Sequence, residues 1–329
     1  MRFRNAFLVL LENFKNTYKI LLYKLVVAIV CAALYFALIL PEVNAIFSSA
    51  EWLALKENLT AFAAAFLPTG SAAQFEALRE QLINDTLPAF FQMLLGQTTG
   101  ILVRLAFCAL VYLVQRFVDT MCYFAVGSIL NDRMRAYSDT PFSHAYLTNL
   151  SKSAKYSLLY VPVGFLFDLL SILVCVAFLE LVPFLYAPFL CVTAIAVSQA
   201  FKFTCTSHWM PAVVADGKTL GGAIRMLSDM DKKQRSKIFA TYLAAVFGII
   251  TVNVLAVLCT AGSALLLTVP ASYLFLLCLQ FVNYYTVTAK KYFITYDNIA
   301  KTSSFGDAEE FFKVVEREEK EEEQEKLEN

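Results

Sequence analysis

Charge is scarce in this chain. Only 16% of its residues are Asp, Glu, Lys or Arg, where a soluble globular domain carries about 25%. The deficit excludes an ordinary water-facing surface over most of the length, and apolar residues take its place: 59% are hydrophobic, with a mean hydropathy of +0.60. Histidine is nearly missing. The only two, His144 and His208, stand in polar connections without a neighbouring cluster of Cys or carboxylates, so no metal site is expected and both read as surface or interface residues. There are eight cysteines but no CxxC; all lie in or beside apolar runs and read as small buried hydrophobes. GxxxxGK[ST], GxSxG and HExxH are absent too, which removes the phosphate loop, the hydrolase elbow and the zincin helix. Neither an enzyme nor a cofactor is implied. No nucleic-acid module is implied either, because the basic residues follow the ends of apolar runs.

Those runs are of bilayer-crossing length, about 20 residues, and there are six: 20–40, 99–120, 157–178, 184–203, 238–258 and 267–287. The expected class is an all-α polytopic membrane protein with six transmembrane helices. The first run is too long for the roughly 7–15-residue apolar core of a signal peptide. Lys and Arg gather before the first span, between the second and third, between the fourth and fifth (from Lys202 to Lys237) and after the sixth. The opposite side has Lys56 and Arg79 against Glu42, Glu51, Glu57, Glu76, Glu80 and Asp85. Positive charge stays inside, so both termini are expected in the cytoplasm.

A second pattern sets the organisation. Segments 3–19, 142–155 and 220–237 each have apolar residues at helical spacing and each precedes a span. In each an apolar residue stands three before an alanine: Phe3/Ala6, Phe142/Ala145 and Leu220/Ala223. They read as helices lying on the cytoplasmic membrane surface. The third closes in Lys232, Lys233, Arg235 and Lys237, cations suited to anionic head groups. Asp216-Gly217 makes a turn before the third, with Thr219 as its N-cap, and Thr140-Pro141 plays that part before the second. The implied unit is a surface helix, a span out and a span in, used three times, with hairpin turns near Pro183 and Pro270; chance likeness among apolar segments is the alternative. The exit spans share a glutamine, at Gln115, Gln199 and Gln280.

Together these form a membrane domain, 1–306. An insertion at 41–98 interrupts the first unit and is expected as a helical pair, 49–67 and 71–95, divided at 68–70. Asn58-Leu59-Thr60 and Asn84-Asp85-Thr86 match a glycosylation pattern, relevant only in a eukaryotic secretory compartment. Residues 307–329 are an acidic cytoplasmic tail of net charge −7, so everything before it is +7; docking to a basic partner or to the chain's own basic surface is one use for it.

Ionisable groups inside spans are costly and are the first place to look for function. Span two holds Arg104, Arg116 and Asp119; span three holds Asp168 near mid-membrane. A polar cleft could gather Arg116, Asp119, Asp168, Gln115, Gln280 and Asn283, with Asn253 as a further member, around a small or lipid-like ligand. The competing reading has the arginines reaching toward the head groups and Asp168 tying two helices together. A scaffold recruiting a membrane or cytoplasmic protein through the basic helices and the tail is the second functional class. Tyr284, Tyr285, Tyr292 and Tyr296 read as an interfacial belt.

The stretch 209–249, WMPAVVADGKTLGGAIRMLSDMDKKQRSKIFATYLAAVFGI, resembles a pattern in bacterial six-helix membrane proteins: the YesL-like proteins and the membrane domains attached to some glycerophosphodiester phosphodiesterases. Segment 139–170 is similar to a second copy. The resemblance implies a bacterial cytoplasmic-membrane protein and transfers no catalytic residue. The insertion and the acidic tail depart from the pattern.

Overall fold

A computed structural model describes residues 2–65, 72–183, 186–228 and 230–300. The expected acidic tail and the turn at 68–70 lie outside these. The six expected spans are helices long and apolar enough to cross a membrane, and the protein is an all-α multi-pass membrane protein, with one small β-hairpin among the described residues. In order the elements are α1 (Arg2–Glu12), α2 (Lys15–Phe47), α3 (Ala50–Ala65), α4 (Ala72–Gln81), α5 (Leu87–Gly96), α6 (Thr98–Ala136), α7 (Phe142–Thr148), α8 (Leu150–Leu181), α9 (Ala187–Thr206), α10 (Trp209–Asp216), α11 (Leu220–Ser228), α12 (Lys232–Thr260), α13 (Leu265–Val287), β1 (Tyr292–Thr295) and β2 (Asn298–Ala300).

The chain divides into two compact units, residues 26–116 and the remainder. In the larger unit α9 packs between α8 and α12, while α13 packs against both α1 and α12. From Leu274 to Tyr285 every residue of α13 is buried, so this helix is the axis of the core. The membrane length of α8 and α12, in contrast, bares Leu166, Ile172, Leu255 and Leu258, an oily surface suited to hydrocarbon. At 39 residues α6 is about 58 Å long, nearly twice the hydrocarbon thickness of about 30 Å. Its second half, from Asp119 to Met134, is largely buried and packs with helix ends instead of lipid. Gly127 permits this: a Cβ there would stand 2.7 Å from Met210 Sδ and 3.2 Å from the Phe281 ring.

The three short amphipathic helices are present and shorter than expected, as α1, α7 and α11. Their shared alanines Ala6, Ala145 and Ala223 are 0%, 2% and 0% exposed. Each helix stops early and the next begins within a few residues. Lys232, Lys233, Arg235 and Lys237 therefore belong to the first turns of α12, not to the surface helix, with Asp231 as its N-cap. Thr219 caps α11 as expected, its Oγ1 accepting the Gly222 N–H at 3.3 Å, and Gly217 ends α10 in the left-handed conformation, φ 63°. Thr140 does not cap α7; its hydroxyl donates to Asp132 Oδ2 at 2.6 Å and Pro141 holds the cap position. The last hairpin turns at Ala261 and Gly262, both with positive φ, and Pro270 sits inside α13.

In the smaller unit the second half of the insertion breaks into α4, one widened turn (Leu82–Thr86) and α5. Pro88 has no N–H to return to the preceding turn, and the Leu87 N–H reaches back five residues to the Leu82 carbonyl. Asn58 Nδ2 donates to Thr86 Oγ1 at 2.6 Å, closing α3 onto that turn.

Candidate functional site

The ionisable residues of the spans are met by partners. Asp168 Oδ1 accepts from Gln199 Nε2 and from Lys202 Nζ, each at 2.9 Å. Beside it Ser171 and Ser198 share a hydrogen bond of 2.6 Å, and Cys175 and Cys191 each point their thiol at the other's carbonyl. This is a polar seam down the α8–α9 hairpin. Lys202, counted from sequence among the surface cations, is buried inside it. Asp119 meets Lys24 Nζ at 3.7 Å, and that ammonium lies over the Tyr273 ring, 3.9 Å from its centre. In the smaller unit Arg104 Nε pairs with Glu42 at 2.6 Å and Nη1 donates to the Leu38 carbonyl; Arg116 Nε donates to Tyr112 Oη at 2.8 Å. Gln115, partly buried, belongs to that unit as well. Asn253 pairs with Ser272 and Thr268 across α12 and α13.

Gln280 and Asn283 are different. They stand one turn apart on the same face of α13, both buried. Gln280 Oε1 and both amide atoms of Asn283 are buried with no hydrogen-bond partner among the described residues. Opposite Asn283 is the fully buried Tyr242 of α12, close enough to interact with the amide but outside hydrogen-bond geometry. Arg2 of α1 acts electrostatically on Tyr242, on Tyr292 of β1 and on His208. Partial burial works against the Arg2 charge and the two tyrosines support it. His208 is fully buried between α9 and α10, its Nδ1 2.6 Å from Ser207 Oγ and its ring 5.8 Å from that of Tyr284. Tyr284 in turn donates to Asp216 Oδ2 at 2.6 Å, and Asp216 pairs with Lys290. The result is a buried polar centre joining α1, α10, α12, α13 and β1.

No family model, curated protein or solved structure matches this chain.

The centre therefore has to be read from its own chemistry. The expected interfacial belt is corrected by it: Tyr284, Tyr285 and Tyr292 are interior, with Tyr285 donating to Asn131 at 3.0 Å and Tyr292 accepting from Asn5 Nδ2 at 2.9 Å; only Tyr296 is exposed. The hairpin folds back onto α1 and carries Tyr292 inward. His208 is likewise interior, because the kink between α9 and α10 turns it toward α13. Sequence reading gave Arg2 and Tyr242 no part in a site and set His208 and Tyr292 at a surface or interface. For Arg2 a signal existed: residues 2, 6, 9 and 13 recur at helical spacing, and Ala6, Val9 and Asn13 are all buried.

Proposed function

We propose that this protein is a non-enzymatic module of a bacterial cytoplasmic membrane, transporter-like or accessory, that handles a small or lipid-like ligand at the polar centre around Gln280, Asn283 and Tyr242. Both termini are cytoplasmic in this reading, and the three helix-plus-hairpin units are repeats of one design. Exposed Lys232, Lys233 and Lys237 support contact with anionic head groups at the same membrane face.

One observation carries the ligand reading: the amide of Asn283, fully buried on the central helix, has neither of its polar atoms in hydrogen-bond geometry with any described residue. An unsatisfied buried polar group costs about 1–3 kcal/mol, so an apolar residue would serve stability better there. A polar residue kept at such a cost is accounted for by something it must hydrogen-bond in use. The test is a pair of apolar replacements, Gln280→Met and Asn283→Leu, followed by thermal unfolding in detergent. The expected result is a midpoint equal to or a few degrees above that of the parent, with normal folded yield. A clear loss of yield in both variants would make these residues structural ties and end this reading.

A further inference from the structure

We infer that the polar centre is an oxyanion site: it takes a phosphate group, with Arg2 as the cation and Tyr242, Asn283 and His208 as neutral partners. This rests on the ligand reading above and names the chemical class of what is bound. The argument starts from a contrast. Lys24, Arg104, Arg133, Lys202 and Lys290 each pair with a carboxylate. Arg2 does not pair with any carboxylate of the described residues, although it is half-buried and its Nη1 is buried with no hydrogen-bond partner among them. A guanidinium withdrawn from water needs an anion, and its planar fork of donors fits phosphate or carboxylate oxygens.

The groups around it suit such an anion. The Tyr242 hydroxyl and the Asn283 amide supply donors, and both are fully buried with no hydrogen-bond geometry to any described residue. His208 engages Ser207 through Nδ1, while its buried Nε2 has no partner among the described residues. Tyr292, which accepts a hydrogen bond from Asn5, borders the site from β1. A carboxylate does stand nearby, Asp216, but it is occupied by Tyr284 and Lys290. The site lies where α1, α10, α12, α13 and β1 meet, and the anion it takes is either a lipid head group or a free phosphate.

The experiment uses the full chain in dodecyl maltoside, a detergent without phosphate, and reads the thermal unfolding midpoint. One arm replaces chloride by inorganic phosphate at constant ionic strength; the other adds phosphatidylglycerol to the micelle. The expected result is a rise of several degrees in one arm, with Arg2→Gln weakening the response about tenfold in probe concentration, as loss of a charge-assisted hydrogen bond requires. A rise with lipid alone assigns a head group; a rise with phosphate alone assigns a free phosphate. Tyr242→Phe removes only a hydroxyl and should also shift the response, so the inference stays testable where Arg2→Gln fails to fold. It is overturned where neither probe moves the parent protein, or where both variants respond as the parent does. The Gln280 and Asn283 replacements report on the ligand reading independently of either outcome.

Discussion

Asp168 and Lys202 show how a residue's meaning depends on its partner. An aspartate at mid-span points to an ion pathway or to an interhelix tie, and sequence left both open. The structure gives it a lysine and a glutamine on the facing helix. Breaking a buried ion pair from one side costs about 3–5 kcal/mol, whereas replacing both members by apolar residues is often neutral. Asp168→Asn should therefore lower the unfolding midpoint and the folded yield, while Asp168→Leu combined with Lys202→Met should recover most of the loss. Recovery of nothing would mean that the seam does not act as a pair. The partner was partly legible: Asp168 and Lys202 stand at nearly equal distances along the chain from the hairpin turn, so an antiparallel pair brings them level. Lys202 was hidden because a lysine near the end of an apolar run is ordinarily a surface cation. Gln280 and Asn283 were legible as polar residues in an oily helix. The roles of Tyr242 and His208 were not, since nothing in a single sequence brings α12 and α10 against α13.

At the scale of elements, helices were readable and their ends were not. Hydrophobic periodicity located α1, α7 and α11, and the buried alanines Ala6, Ala145 and Ala223 follow from it. The break before each span came earlier than the charge pattern implied, because Asp231 starts α12 ahead of its lysines and a basic residue fits either side of such a junction. The β-hairpin had no period long enough to detect. Once formed, α1 is fastened to the far end of α6 by charge: Arg133 bonds Glu12 at 3.2 Å and Asp139 at 3.2 Å, Lys15 bonds Asp139 at 3.0 Å, and the Tyr137 hydroxyl donates to Glu12. The Tyr137 hydrogen bond, then Arg133, holds the Glu12 carboxyl below its usual range, and Lys15, then Arg133, does the same for Asp139. A carboxylate depressed in the folded state stabilises it above the unfolded pKa, about 4 for these groups, and that stabilisation is lost as pH falls through the lower folded value. The unfolding midpoint should thus be flat near neutrality and fall below about pH 4. Glu12→Gln should flatten part of that fall, by a small amount because the pairs are solvated. A pH profile identical to the parent's would show that this clasp adds nothing.

For the whole molecule, the division of labour along the helices matters more than their number. Apolar content alone determines six crossings, but it cannot tell a lipid-facing leucine from a core leucine, and α6 and α13 hold both kinds of neighbour. One end of the larger unit is built as a protein interior, with tyrosines, asparagines and a histidine tied into it. The membrane length of α8 and α12 is dressed for hydrocarbon. Interior packing lets polar side chains meet protein instead of hydrocarbon, and in the proposed reading this end stands at a membrane–water boundary. The proposed side rests on charge in the sequence: the connections carrying α1, α7 and α11 hold most of the Lys and Arg, while the insertion holds Lys56 and Arg79 against six carboxylates. In the orientation proposed above, the positive-inside rule would put α1, α7, α11 and the hairpin in the cytoplasm. A fluorescent protein fused after Asn329 should light up in a bacterial host. Alkaline phosphatase inserted in the 41–98 segment should be active, and inactive when placed between α6 and α7. The reverse pattern would turn the molecule over, and the polar centre with its phosphate site would then face the outside, open to solutes of that compartment instead of those of the cell.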